Sequence, residues 1–129
     1  MKSRTKRGRV RQVANFLYDV GYRPRYTVDI KFVRASSLPK KERVFGWAEK
    51  TGRRGAICLV ETGSTTTAIL IDTYLHELAH HLDGGWSTDT KRVHSYSWAR
   101  VYAKLITLMF DVEPSGIVRS YDYPERWRL

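Results

Sequence analysis

Ala68-Ile69-Leu70-Ile71-Asp72-Thr73-Tyr74-Leu75-His76-Glu77-Leu78-Ala79-His80-His81-Leu82-Asp83, closed by Gly84-Gly85, is the stretch on which the reading of this chain turns. Ile71, Leu75, Leu78 and Leu82 recur at the spacing of one helical face, so a helix is predicted over 68–83. The small-polar run 63–67 before it can supply an N-cap hydroxyl. The glycines after it suit a helix C-terminus. Inside this helix lies His76-Glu77-Leu78-Ala79-His80, the pattern H-E-x-x-H. Residues four apart differ by only about 40° around a helix, so His76 and His80 stack on adjacent turns and can share one ion. Neutral imidazole binds zinc without cancelling its charge, and zinc so held lowers the pKa of water to about 7. Glu77 leans over the same face, where it can take that water's proton and pass it to a leaving amine.

A catalytic zinc ion ordinarily has three protein ligands and one open position. All four histidines of the chain lie between 76 and 94. His81 follows His80 directly and points about 100° away, which predicts a surface or supporting role. His94 stands at the start of the next apolar-periodic segment, after a loop long enough to fold back, and is the expected third ligand. Asp83 and Asp89 are the reserves. No acidic residue lies between His94 and Phe110, which argues against a carboxylate ligand from that segment.

Working outward, the upstream chain predicts a helix from about Val10, with Val10, Val13, Leu17 and Val20 on one face and Gly21 and Pro24 ending it. Residues 26–34 alternate: Tyr26, Val28, Ile30 and Phe32 on one side, Thr27, Asp29 and Lys31 on the other. Strands are also predicted over 44–50 and 56–61, joined by a hairpin at Thr51-Gly52-Arg53-Arg54-Gly55. A last helix is predicted over 95–110, with Trp98, Val101, Leu105 and Leu108 sharing a face. The order predicts an α+β fold with a three-stranded antiparallel sheet. Residues 1–9 read as a flexible basic arm and 10–129 as one domain, a size usual for a single core.

Composition sets the outer bounds. With 42% apolar residues the chain can bury a core, and its single Cys excludes an intrachain disulfide or a Cys-rich zinc site. The lack of an apolar run of about 20 residues, or of a signal-peptide pattern, predicts a cytoplasmic or nucleoid-associated protein without membrane contact. The formal net charge of +10 points to a polyanionic partner. Six of the first eleven residues are basic (Lys2, Arg4, Lys6, Arg7, Arg9 and Arg11), and they are the expected contacts for sequence-independent binding of nucleic acid.

His76-Glu77-Leu78-Ala79-His80 followed by His94-Ser95-Tyr96-Ser97-Trp98 resembles the SprT-like (Spartan-type) zinc metallopeptidases. There an HExxH helix is followed by a His-Gly-Pro-Glu-aromatic type motif. His94 and Trp98 match its first and last positions, whereas Ser95, Tyr96 and Ser97 depart from the middle. Phe45-Gly46-Trp47-Ala48 and Ala56-Ile57-Cys58-Leu59-Val60 are similar to the family's Gly-containing and edge strands, so the resemblance spans about 26–110. It implies a minimal zincin fold, one Zn2+ held by His76, His80 and His94, and Glu77 as general base. It also implies that Ala56, Ile57, Cys58, Leu59 and Val60 form an edge strand gripping extended substrate by main-chain pairing. The Cys-rich zinc ribbon of many members has no counterpart here.

The expected function is a zinc metalloendopeptidase acting on protein, including protein held near DNA. The alternatives are an ImmA/IrrE-like repressor-cleaving peptidase, which expects an acidic ligand on the following helix, and a non-catalytic nucleic-acid-binding module with a structural metal site. Tyr74, Tyr96 and Tyr102 are weighed as donors to a tetrahedral intermediate against plain packing roles. Cys58 and Trp47 read as core, and Trp127 as part of a terminus docking on its own domain.

Overall fold

A computed structural model describes residues 5–42, 44–84 and 94–110. Among the described residues three helices, α1 (Lys6–Asp19), α2 (Thr67–Asp83) and α3 (Tyr96–Met109), pack with three strands, β1 (Thr27–Arg34), β2 (Gly46–Thr51) and β3 (Arg54–Glu61). The architecture is α+β, as the sequence predicts, but the sheet is mixed. Its order is β1-β3-β2, with β1 parallel to β3 and β2 antiparallel to it.

The hairpin explains the antiparallel half. Thr51 pairs with Arg54 across a two-residue turn, and Gly52 takes φ +60° at its first position, where a type II′ turn favours glycine. The parallel half is set at longer range. The connection 35–45, with short 3-10 turns at Ala35–Ser37 and Lys40–Glu42, carries the chain past β1 and leaves a gap that β3 fills. No local turn dictates that pairing. The run 55–60 is buried throughout, as befits a strand flanked on both sides. The expectation that Ala56–Val60 forms an edge strand is therefore corrected: they lie in the middle strand, and the exposed edges belong to β1 and β2.

α2 is the centre of the core. Leu70, Tyr74, Leu75, Leu78 and Ala79 meet Val10, Val13 and Leu17 of α1, Ile57 and Leu59 of β3, and Trp98 and Leu105 of α3. Val28, Ile30 and Phe32 pack against this cluster from β1, the face the alternation marked. On α3 the buried side runs through Trp98, Val101, Tyr102, Leu105, Ile106 and Met109, while Leu108 is exposed, contrary to expectation. Val20, at the C-cap of α1, is likewise half-exposed.

The basic arm also needs correction. Thr5 caps α1 by accepting a hydrogen bond from the Gly8 amide, and the helix already begins at Lys6. The Lys6 ammonium donates to the Thr65 carbonyl at 2.5 Å, and Arg7 pairs with Glu61 at 2.6 Å. These contacts anchor residues predicted to be free.

Two glycines admit close approaches. A Cβ on Gly46 would lie 2.6 Å from Thr73 Cγ2, so α2 sits almost on β2 there. A Cβ on Gly55 would lie 2.6 Å from His81 Cε1 and 2.8 Å from Tyr26 Cε2. The His81 ring is pinned at both nitrogens and cannot yield. Gly55→Ala is therefore expected to cost about 1–3 kcal/mol, read as a lower denaturant midpoint, whereas Gly63→Ala, with nothing within 4 Å, stays near neutral. Equal midpoints for the two variants would refute the close approach.

Candidate metal centre

α2 begins where the Thr66 hydroxyl accepts from the Ile69 amide at 3.2 Å. It ends at Gly84, in the left-handed region at φ +72°, whose N–H reaches the His80 carbonyl at 3.0 Å. That frame fixes His76 and His80 on successive turns, with ring centroids 5.3 Å apart. His94 stands just before Ser95, the N-cap of α3, whose hydroxyl accepts from the Trp98 amide. Its ring lies 5.0 Å from each of the other two. One nitrogen from each of the three rings falls within 4.8 Å of the others, a group that could hold a metal ion.

Trp98 is the floor of this cluster. Its ring lies 4.8, 5.2 and 4.5 Å from His76, His80 and His94, and its indole N–H donates to the His76 carbonyl at 3.3 Å. One residue thus ties the start of α3 to the His76 turn of α2.

Glu77 is 5% exposed. Its Oε1 accepts from His76 Nδ1 at 2.9 Å, which assigns the ring proton to Nδ1 and leaves the Nε2 lone pair for an ion. Its Oε2 is buried and has no hydrogen-bond partner among the described residues. A buried carboxylate oxygen without a partner is costly, and such an atom beside three imidazoles suits a site that receives an ion and its water. Burial lowers the His80 pKa to about 4 despite the opposing pull of Glu77. Desolvation and the neighbouring His76 lower that of His94 as well. Both rings are therefore neutral at neutral pH, the form that ligates.

Around the cluster lies a second set of contacts. The Tyr102 hydroxyl donates to Asp72 Oδ1, and its ring centroid lies 5.5 Å from that of His76. Burial raises the Asp72 pKa against that hydrogen bond and the nearby His76. The sequence carried a signal for this pair: Asp72 precedes His76 by one helical turn, and Tyr102 follows Trp98 by one. Of the tyrosines weighed for catalysis, Tyr96 is 79% exposed and faces Arg100. Tyr74 faces the opposite side of α2.

His81 is 3% exposed. Its Nε2–H donates to the Ala56 carbonyl at 2.9 Å, and its Nδ1 accepts from the Tyr26 hydroxyl at 2.8 Å. It does not join the three histidines. It fastens α2 to β3 and β1, so the surface alternative is excluded and the supporting one holds. Cys58 is buried as expected, and desolvation pushes its thiol pKa up. Asp89 and the basic residues Lys2 and Arg4 lie outside the described residues, as does Trp127. Of the basic residues described, Arg7 and Arg11 lie over the Phe32 ring, and Arg9 is exposed on α1. Comparison with protein-family models, curated proteins and solved structures finds no match.

Proposed function

We propose that the chain is a zinc-dependent endopeptidase of the SprT-like type. The observation that carries this reading is the convergence of His76, His80 and His94 on one point beside the orphaned Oε2 of Glu77. Zinc, when bound, supplies Lewis acidity that polarises a peptide carbonyl and acidifies water. His76, His80 and His94 hold the ion. Glu77 takes the proton of the attacking water and returns it to the departing amine. Trp98 keeps the three rings in register. The absence of any Asp or Glu from α3 favours His94 over the carboxylate ligand of the ImmA/IrrE-like alternative.

Substrate would lie along β2, whose outer edge is free of strand partners among the described residues, by main-chain pairing. The net charge of +10 supports protein held on nucleic acid as the substrate class. No helix among the described residues is long and apolar enough to cross a membrane.

The test is digestion of casein and of histone on DNA by the purified chain, before and after chelation and after zinc is restored. Cleavage lost on chelation and regained with zinc is the expected result. A metal-loaded protein that cuts neither substrate would reduce the reading to a structural metal site in a nucleic-acid-binding module.

A further inference from the structure

On the other side of α2 a cavity of about 540 Å³ opens between α1, the connection to β1, β1 itself and α2. Its size falls in the range of small-molecule sites. Tyr74 and Leu78 line it, and each lies two residues from His76, roughly 200° around the helix, so this is not the metal cluster seen from another angle.

The lining has a definite chemistry. Tyr18, Tyr22 and Tyr26 present aromatic rings, and Asn15 offers a donor and an acceptor on one planar amide. Arg25 stands exposed on the wall, and Arg23, outside the lining, is held against Tyr18, its guanidinium 4.7 Å from the ring centroid and its Nε donating to the Tyr18 carbonyl. Tyr74 is only 5% exposed, and its hydroxyl, without a protein hydrogen-bond partner among the described residues, is not among the atoms sealed from solvent, so it meets the water of the cavity. Burial also raises its pKa, so it remains a neutral donor. The Tyr26 hydroxyl is spent on His81, Tyr74 is the buried polar side chain of the lining, and Asn15 and Thr27 stand exposed at its rim.

Rings to stack on, an amide that reads a heterocycle edge, an unspent donor and a cationic rim form one combination. We propose that this cavity binds a nucleotide unit, a planar base with its phosphate, either free or at an unpaired position of a strand. The base stacks against Tyr18 and Tyr22 and takes hydrogen bonds from Asn15 and Tyr74. The phosphate faces Arg25 at the rim. Stacking on tyrosine tolerates any base, so affinity rather than sequence preference is its mark. The inference is independent of the peptidase reading, and binding can hold whether or not the chain cleaves protein.

The test measures binding of AMP, UMP, adenosine, a labelled fifteen-nucleotide thymidine strand and a duplex of equal length to the full chain and to two variants. Tyr74→Phe removes one hydroxyl, and Tyr18→Ala removes a ring that is 55% exposed, so both should fold, as thermal midpoints will verify. Tyr18→Ala is expected to weaken the occupied ligand about tenfold or more, and Tyr74→Phe about fivefold, with duplex affinity unchanged. Adenosine should bind more weakly than AMP. Binding of AMP or UMP identifies the free nucleotide as the source. Binding of the strand alone identifies the polymer. Binding of neither up to about a millimolar, or affinities that both variants leave untouched, or equal losses for strand and duplex, would overturn the proposal.

Discussion

Glu77→Gln is expected to leave the ion bound and the fold intact while peptide hydrolysis falls by about 10²–10⁴-fold, the usual contribution of a positioned general base. The reason lies in the two oxygens of one carboxylate. Oε1 is engaged by His76, and Oε2 is buried without a partner among the described residues. The amide keeps the shape and the hydrogen bond to His76, but it cannot accept a proton from water at neutral pH. It also removes a buried negative charge, so thermal stability should hold or rise slightly. Zinc content by elemental analysis and initial rates on a quenched peptide are the two measurements. A variant that keeps its zinc and cleaves within a factor of two of the parent would remove Glu77 from the chemistry. A variant that loses both would assign Glu77 to holding the site together.

How far the sequence carried this reading differs between elements for physical reasons. α2 was legible almost to its ends, because its stripe, N-cap hydroxyl and terminal glycine are local signals that agree. The β2–β3 hairpin was legible for the same reason, with Gly52 where the turn needs it. The β1–β3 pairing was not, because parallel strands meet only through packing brought about by distant residues. The misreading of Ala56–Val60 has the same root: an apolar run is as consistent with a middle strand as with a covered edge, and only the partner of β1 decides between them.

The site divides along a similar line. His76, Glu77 and His80 are given by helical arithmetic, since their relation depends on one element alone. His81 shows the limit of that arithmetic. Its direction, about 100° from His80, was foreseeable, but the Ala56 carbonyl and Tyr26 hydroxyl waiting there belong to other elements. The start of α1 fell to the same limit, since its anchors at Thr65 and Glu61 lie more than fifty residues downstream.

His94 is where the two kinds of information meet, and His94→Ala carries the second large effect. Loss of a supporting residue around a metal typically weakens affinity 10–100-fold, so loss of a ligand should weaken zinc binding more than about 100-fold. Because His94 is exposed and precedes the Ser95 cap instead of forming it, the metal-free variant should unfold at nearly the parent's temperature. The contrast appears on adding zinc. A ligand that binds only the folded state stabilises it by RT ln(1 + [L]/Kd), so a hundredfold weaker site forfeits about 2.7 kcal/mol of that gain at saturating zinc. The parent melt should therefore rise clearly with zinc and the variant melt barely move. His81→Leu should behave in the opposite way, lowering the metal-free melt because the Tyr26 hydroxyl and the Ala56 carbonyl lose their partner, while leaving the three-nitrogen cluster able to take up the ion. Equal zinc shifts in the parent and in His94→Ala would mean that the ion is held by His76 and His80 alone, and the third position would have to be sought elsewhere in the chain.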